Sequence, residues 1–362
     1  MTQTAHRIEE LDPNFAQPRA DKGTHWYDIR AFGIEGQGYP GEIERTYARL
    51  PAKARGVVRD PVWELGQHSA GLCVRFVTDS PTISAHWDLW SGNLAMNHRP
   101  ASGVSGLDLY IKDPTRPPSR QYHWLGTGIP GQQAGNENVL VDGLDGAAHE
   151  FVLYLPLYNG VESVQVGVKE GATIRAAPRR IGKPVVMYGT SILHGGCAAR
   201  PGMAYPAILG RAIDRAVINL GFSGNAKIEP EVAQLLAELD PSVYVLDYCP
   251  NNDAAGVAER TEPFVQTLRA AHPTTPIVMV ENILPQKHLY VSTTAQGVAQ
   301  KNAELRAAVE RLREAGDAHL LYVPSEHLLG DDGEGTVDGV HPTDVGFQRL
   351  AAAVGPVVAG WV

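Results

Sequence analysis

Residues 184–196 read PVVMYGTSILHGG, an apolar run that ends at Gly189, two residues before Ser191. Such a run is typical of a strand buried on both faces, and the residues after the serine open a helical pattern. Strand–helix alternation of this kind predicts a parallel sheet with right-handed crossovers. Four more apolar runs, separated by amphipathic helical patterns, complete the alternation: 216–222, 242–249, 276–282 and 319–324.

The preceding part of the chain has a different pattern of hydrophobic and polar residues. Short runs of alternating polarity recur from about residue 24 to 170 and are broken by Gly, Pro, Asp and Asn, which is typical of an antiparallel sandwich. The pattern of hydrophobic and polar residues changes at AAPRRIGKP (176–184), a basic, proline-containing stretch. We therefore predict two domains, a β-sandwich over residues 1–178 and an α/β domain over residues 179–362.

Composition narrows the function classes. The chain has 362 residues, 43% of them hydrophobic and 20% charged, so a long disordered protein is excluded. A net charge of -9 argues against a nucleic-acid partner, and three scattered cysteines argue against a disulfide framework or a zinc knuckle. No apolar run approaches the ~18 residues of a membrane-spanning helix, and residues 1–15 lack the apolar core of a secretory signal. These features predict a soluble, cytoplasmic protein.

The chemistry-bearing residues follow the predicted strands. Because parallel sheets carry their sites at the carboxyl ends of strands, Ser191 is a candidate nucleophile. The loop 337–347 (VDGVHPTDVGF) places Asp338 three residues before His341, which lets one loop carry a base and the carboxylate that orients it. Candidate donors for an oxyanion are the backbone N–H groups of Ser191 and Gly224 and the side-chain amide of Asn251.

Four blocks carry a recognisable resemblance. They are GTSILHGGCAARPGMAYP (189–206), INLGFSGNAKIEPEVAQLL (218–236), DYCPNND (247–253) and the Asp-x-x-His loop. The chain resembles the SGNH, or GDSL-type, esterases, and GLDLY (106–110) resembles the G-x-D-L-Y signature of a subfamily with an N-terminal sandwich. The resemblance implies a flavodoxin-like three-layer α/β/α domain after a jelly-roll-like sandwich. It also implies Ser191 as nucleophile, His341 as base, Asp338 as its partner, and Gly224 and Asn251 as oxyanion donors.

Two positions stay open at this point. Counting from the strand favours Asn251 as the amide donor, whereas matching the Asn-Asp pair of the family favours Asn252. Gly221 competes with Gly224 for the backbone donor.

Candidate substrate contacts are less well defined. His194 lies one turn after the serine, Arg200 lies in the CAARPG loop, and Glu281 ends a predicted strand. Trp87 and Trp90 lie where a predicted strand runs into a loop, and aromatic rings there could stack on a sugar.

The sequence therefore predicts a serine esterase acting on O-acyl esters, most plausibly acetyl esters of a carbohydrate. An acyltransferase that moves the acyl group to a sugar or natural-product hydroxyl is the alternative, and a carbohydrate-binding protein without turnover is a third. No cofactor or metal motif is present, and the motif G-x-G-x-x-G (36–41) lacks a strand–helix context. The expected partner is a small-molecule or oligosaccharide ester. We expect no nucleic-acid partner and no membrane contact, and the sequence leaves open whether the protein forms a homo-oligomer.

Overall fold

The carboxy-terminal half is built around a five-stranded parallel sheet. The computed structural model describes residues 20–362. The strands of this sheet are β11 (Val185–Gly189), β12 (Val217–Gly221), β13 (Val243–Asp247), β14 (Ile277–Val280) and β15 (Leu320–Val323). Their order in the sheet is β12-β11-β13-β14-β15, so β11 lies inside the sheet with later strands on either side, as in flavodoxin-like folds. The carboxyl end of β11 is therefore the switch point where such folds bind ligands.

Helices cover both faces of this sheet. Alternate side chains of β11 enter different cores, Val186 and Tyr188 one and Val185 and Met187 the other. The helices of this half are α3 (Ser191–His194), α4 (Tyr205–Ile213), α5 (Pro230–Ala237), α6 (Ala254–Ala271), α7 (Ser292–Glu314) and α8 (Asp344–Ala359). The first core is closed by α5, α6 and α7, and the second by α4 and α8, which makes three layers.

The amino-terminal half consists of two antiparallel sheets packed face to face. One has the order β1-β9-β4-β7; the other has the order β10-β3-β8-β5-β6, with β2 paired to β3. Their inner faces share one apolar core, in which Trp87 is fully buried. The strands are β1 (Thr24–Asp28), β2 (Ile34–Glu35), β3 (Cys73–Thr78), β4 (Thr82–Leu89), β5 (Leu107–Lys112), β6 (Tyr122–Gly128), β7 (Asn136–Asp142), β8 (His149–Tyr154), β9 (Val161–Lys169) and β10 (Ile174–Ala176), and two short helices, α1 (Asp60–Gly66) and α2 (Ala101–Val104), accompany them.

A segment before the predicted boundary packs on the parallel sheet. Tyr39, Leu50 and Val62 belong to the same apolar core as α5 and α6. Within this segment the guanidinium of Arg49 is 1% exposed and donates to the carbonyl oxygens of Asn219 and Gly221, both at 2.9 Å. The amino-terminal half therefore shares core and hydrogen bonds with β12.

The G-x-D-L-Y signature lies at the junction of the two halves. The carboxylate of Asp108, on β5, is fully buried and accepts hydrogen bonds from Arg200 Nη1 (2.8 Å) and Gly202 N (2.8 Å). It also accepts one from Trp124 Nε1 at 2.9 Å. A Cβ at Gly202 would lie 2.4 Å from the ring of Tyr110, so this close approach requires glycine.

The expected fold class is confirmed. Hydrogen bonding shortens the first predicted parallel strand by Pro184 alone and the other four at both ends; 242–249, for example, becomes β13. The division into domains at residue 178 stays a prediction, and residues 1–19, with the expectation drawn from the amino terminus, lie outside the described residues. Within residues 20–362 no helix combines the length and apolar character needed to cross a membrane.

Candidate active site

Ser191 lies at the switch point of the parallel sheet. It is the first residue of α3 and follows β11 by one residue, Thr190, whose side chain caps the helix by accepting a hydrogen bond from Ile192 N. The short helix ends at His194 and is capped by Gly195, which has φ +104°, a conformation that favours glycine. The serine is thereby held between a buried strand and a capped turn, and it is 6% exposed.

His341 and Asp338 complete a hydrogen-bonded chain with this serine. Ser191 Oγ lies 2.9 Å from His341 Nε2, and His341 Nδ1 lies 2.6 Å from Asp338 Oδ2. A proton on Nδ1 satisfies the carboxylate and leaves the lone pair of Nε2 for the serine hydroxyl. Gly196 makes room for this arrangement, since a Cβ there would lie 3.1 Å from His341 Cδ2.

The carboxylate of Asp338 is held in its ionised form. Partial burial acts to raise its pKa, but the backbone N–H of His341 (2.7 Å), the ring of His341 and the backbone N–H of Val340 (3.0 Å) outweigh burial. The pKa of Asp338 is consequently well below its ordinary value. Asp338 therefore keeps its charge, and its hydrogen bond to the imidazole, at neutral pH.

Two backbone N–H groups are free beside Ser191. Within residues 20–362 the N–H groups of Ser191 and Gly224 have no protein acceptor, and Gly224 has φ +72°. The competing Gly221 donates its N–H to Asn219 Oδ1 at 2.9 Å. A Cβ on Gly221 would lie 2.3 Å from the backbone of His194, so this glycine serves close packing and Gly224 is the free donor.

The two adjacent asparagines after β13 differ in what their amides do. Both Nδ2 hydrogens of Asn252 are used, on the carbonyls of Ala226 and Tyr248, each at 2.8 Å. Asn251 instead accepts a hydrogen bond from Ala226 N through Oδ1 (3.2 Å), which fixes its side chain against the loop of Gly224. Its Nδ2 group has no acceptor within the described residues, which favours Asn251 as the third donor.

The sandwich half contributes two side chains that sequence reasoning missed. His98 Nε2 lies 3.2 Å from Asp338 Oδ2, and Arg99 Nη2 lies 3.3 Å from His341 Nε2. Both residues are on the loop between β4 and β5. No periodic pattern or motif includes this loop. The adjacent histidine and arginine, which precede α2 and the G-x-D-L-Y strand, are the one feature of the sequence that could have indicated a functional role here.

A possible set of metal ligands overlaps the triad. Ligand atoms of His98, Cys197 and His341 all lie within 4.8 Å of one another. Imidazole and thiolate ligands suit Zn²⁺. The Arg99 guanidinium, however, contacts His341 Nε2, and its charge opposes the rise that burial causes in the pKa of the Cys197 thiol, so a dication there would face a positive charge. The donor set therefore fits a resident metal poorly.

An open groove of about 480 Å³ lies beside the triad. Trp90, Arg99 and Tyr158 line it from the sandwich half, and Ser223 and Asn225 line it from the loop after β12. Trp90 is 36% exposed and presents its ring to this groove. The Tyr158 hydroxyl, 3.3 Å from both the Ser191 carbonyl and Ser223 Oγ, joins the groove to the serine.

Two expected substrate contacts lie in cores instead. Trp87 is 0% exposed and donates through Nε1 to the Ser105 carbonyl, so it fills the sandwich and is corrected to a core residue. His194 is also 0% exposed; its Nε2 is 2.6 Å from the Leu157 carbonyl and its ring stacks on Tyr158. Burial lowers the pKa of His194 well below its usual range, so it packs as a neutral ring.

Two charged candidates are likewise structural. Arg200 is held by Asp108 and Tyr110 at the junction of the halves and is not free for substrate. Glu281 is 1% exposed, and its carboxylate is bound by Arg306 (2.7 Å) and by the Ser325 N–H (2.9 Å). Neither expectation of substrate contact is supported by the structure.

A serine at the switch point of a flavodoxin-like sheet, hydrogen-bonded to histidine and through it to aspartate, is the arrangement of a serine hydrolase. A family model described as GDSL-like lipase/acylhydrolase matches residues 182–359. A second model, the GxDLY N-terminus of SGNH hydrolase-type esterases, matches residues 24–174.

Solved structures agree with the family models. A protein from Bacteroides ovatus described as a GDSL-like lipase is 35% identical over 93% of this chain and 97% of its own, with a TM-score of 0.86. The salicylyl-acyltransferase of a tetracycline biosynthetic pathway is 20% identical (92% and 96%, TM-score 0.74). A family two carbohydrate esterase from Cellvibrio japonicus is 16% identical (93% and 98%, TM-score 0.58). Comparison with curated proteins gave no match. The chain belongs to the GDSL-like lipase/acylhydrolase family and is a carboxylic ester hydrolase.

Proposed function

We propose that this protein hydrolyses O-acyl esters, chiefly acetyl esters of a carbohydrate, through an acyl-enzyme on Ser191. The observation that carries the proposal is the unbroken chain from Ser191 Oγ to His341 Nε2 (2.9 Å) and from His341 Nδ1 to Asp338 (2.6 Å). A serine hydroxyl becomes an effective nucleophile when an imidazole held in one tautomer takes its proton.

The mechanism follows from these positions. Ser191 Oγ forms a bond to the ester carbonyl carbon while its proton passes to His341 Nε2. The resulting oxyanion accepts hydrogen bonds from the N–H groups of Ser191 and Gly224 and from the amide of Asn251. His341 then gives its proton to the departing alkoxide, and a water activated by the same imidazole releases the acid.

The carbohydrate preference is supported by the groove. Trp90 offers an exposed ring in the groove that Arg99 and Tyr158 also line, and this open groove accepts a molecule larger than the acyl group. Carbohydrate esterases among the structural neighbours, including one in complex with cellohexaose, have the same fold. This likeness is at the level of fold alone.

The test is hydrolysis of p-nitrophenyl acetate by the purified chain and by Ser191→Ala. We expect the substitution to lower kcat by about 10⁴-fold or more, since the triad acts as a unit. Thr190→Ser, which keeps the helix cap next to the nucleophile, is the matched control and should stay within about tenfold of wild type. Activity that survives Ser191→Ala would refute the proposal. Acylated product in excess over free acid, with a sugar alcohol present, would indicate the acyltransferase.

A further inference from the structure

The guanidinium of Arg99 is a positive charge at the triad. Its Nη2 lies 3.3 Å from His341 Nε2, and its Cζ lies 4.3 Å from the centroid of the Tyr158 ring. Its Nε is buried and has no hydrogen-bond partner among the described residues. Its Nη1 contacts the sulfur of Met96 at 3.5 Å, which neutralises no charge.

Two arginines near the junction of the two halves are neutralised by carboxylates, whereas the buried Arg49 and Arg211 donate to backbone carbonyl oxygens. Arg200 is paired with Asp108, and Arg180 is paired with Glu35. Arg99 forms no such pair within residues 20–362. Glu64 also lines the groove but is exposed and is not paired with Arg99. Arg99 is thus a cation next to the proposed nucleophile with no ion-pair partner of its own among the described residues, and the ionised Asp338 lies across the His341 ring from it.

An arginine fork without a carboxylate is a receptor for a planar anion. The guanidinium presents parallel N–H groups that match the two oxygens of a carboxylate. Tyr158 supports one face of the Arg99 guanidinium, which holds it in place over the groove. Arg99 is the one arginine or lysine among the residues that line the groove, so the groove offers a single fork, which matches the one negative charge of a carboxylate.

The position of Arg99 also indicates which part of the ester carries the anion. In the proposed function His341 Nε2 gives its proton to the departing alkoxide, so the space around this nitrogen belongs to the alcohol part. Arg99 Nη2 contacts this same nitrogen. The acyl carbonyl, in contrast, faces the donors Ser191, Gly224 and Asn251.

We propose that Arg99 binds a carboxylate carried by the alcohol part of the substrate, as in an O-acylated sugar acid. This inference rests on the proposed function and narrows its substrate class. Binding of the carboxylate would also draw the guanidinium away from Nε2, whose lone pair the Ser191 hydroxyl shares at 2.9 Å. The anionic substrate would then remove a competing donor from the base.

The experiment compares 3-acetoxybenzoate with its neutral counterpart 3-acetoxybenzamide, which has the same ester and nearly the same shape. We expect kcat/KM of the wild type to favour the acid by about ten- to a hundredfold, the range for a hydrogen bond to a charged group. Arg99→Gln should abolish the preference, and Arg99→Lys, which keeps the charge, should restore part of it. Arg45→Gln is the control, because Arg45 stacks on Trp90 but is paired with Glu162.

Each outcome decides between distinct hypotheses. Loss of hydrolysis of p-nitrophenyl acetate in Ser191→Ala tests the proposed function separately from Arg99. Equal wild-type rates on the acid and the amide, including no hydrolysis of either, would refute the carboxylate site. A preference that Arg99→Gln leaves intact would refute the role of Arg99. A charge preference confined to p-nitrophenyl hydrogen succinate, whose acyl part is anionic, would refute the assignment to the alcohol side.

Discussion

Asn251 and Asn252 are neighbours in the chain, but their amides have separate partners. Asn252 is 6% exposed and uses Nδ2 to hold the loop that carries Gly224, whereas Asn251 keeps Nδ2 free. A developing oxyanion needs donors that are in place before the reaction begins. The free amide fits this requirement, and the engaged amide keeps the loop in position.

Substituting the two asparagines should therefore affect different properties, activity for Asn251 and stability for Asn252. Asn251→Ala should lower kcat by about 10²–10³-fold, the usual effect of removing one oxyanion donor. Asn252→Ala should lower the free energy of unfolding by about 1–3 kcal/mol, because it leaves buried carbonyls unpaired. Steady-state kinetics and urea unfolding of both variants measure the two effects. The assignment is wrong if Asn252→Ala has the larger loss of kcat at unchanged stability.

At the scale of elements, β13 ends in a buried acid. The carboxyl of Asp247 is 2% exposed and accepts a hydrogen bond from the Tyr205 hydroxyl of α4 at 2.8 Å. Burial raises its pKa to about 6, and the Tyr205 hydrogen bond offsets only part of the shift. The folded protein thus holds a proton that the unfolded chain releases near pH ~3.9. The contribution of Asp247 to stability is therefore full below that value and is lost as pH rises through about 6.

Asp247→Asn should remove this dependence. At pH 8 we expect the free energy of unfolding of the variant to exceed that of the wild type by about 2–3 kcal/mol. At pH 4 the two free energies of unfolding should be nearly equal. Asn keeps an acceptor for Tyr205 and carries no charge. Urea unfolding at both pH values measures the difference. Asp240→Asn, at an exposed position before the same strand, is the control and should change little at either pH. A gain of the same size at both pH values would contradict the buried charge as its cause.

At the scale of the whole molecule, Asp108 connects the two halves. Its buried carboxylate binds Arg200 and the Gly202 backbone from the α/β half and Trp124 from its own sheet. Burial raises its pKa and Arg200 opposes that rise. The signature strand therefore carries a structural contact between halves, while the loop just before it brings His98 and Arg99 to the triad.

Asp108→Ala should destabilise the whole chain. Removing one partner leaves the Arg200 charge partly buried and unpaired, which typically costs about 3–5 kcal/mol. Asp113→Ala, on an exposed pair with Arg116 after the same strand, is the matched control and should cost less than about 1 kcal/mol. Urea unfolding followed by tryptophan fluorescence measures both. Equal losses for the two variants would show that the junction contributes no more than a surface ion pair.

The sequence by itself determined the parallel sheet, the sandwich and the edge where Ser191, Gly224, Asn251 and His341 lie. Apolar periodicity decides which local segments are buried, and the carboxyl ends of parallel strands meet at one edge whatever the details of packing. The tertiary structure alone decided which polar candidates are free. Four residues that the sequence suggested as substrate contacts have their polar groups hydrogen-bonded to other parts of the protein: Trp87, His194, Arg200 and Glu281.

Only the tertiary structure brought Arg99 to His341, 242 positions along the chain. No local pattern records such a contact, because it depends on how the sandwich docks against the α/β half. That docking is set by the buried contacts of Arg49 and Asp108 with distant backbone and side chains. A sequence pattern reports the burial of its own segment, whereas the approach of two distant segments is decided by packing of the complete molecule.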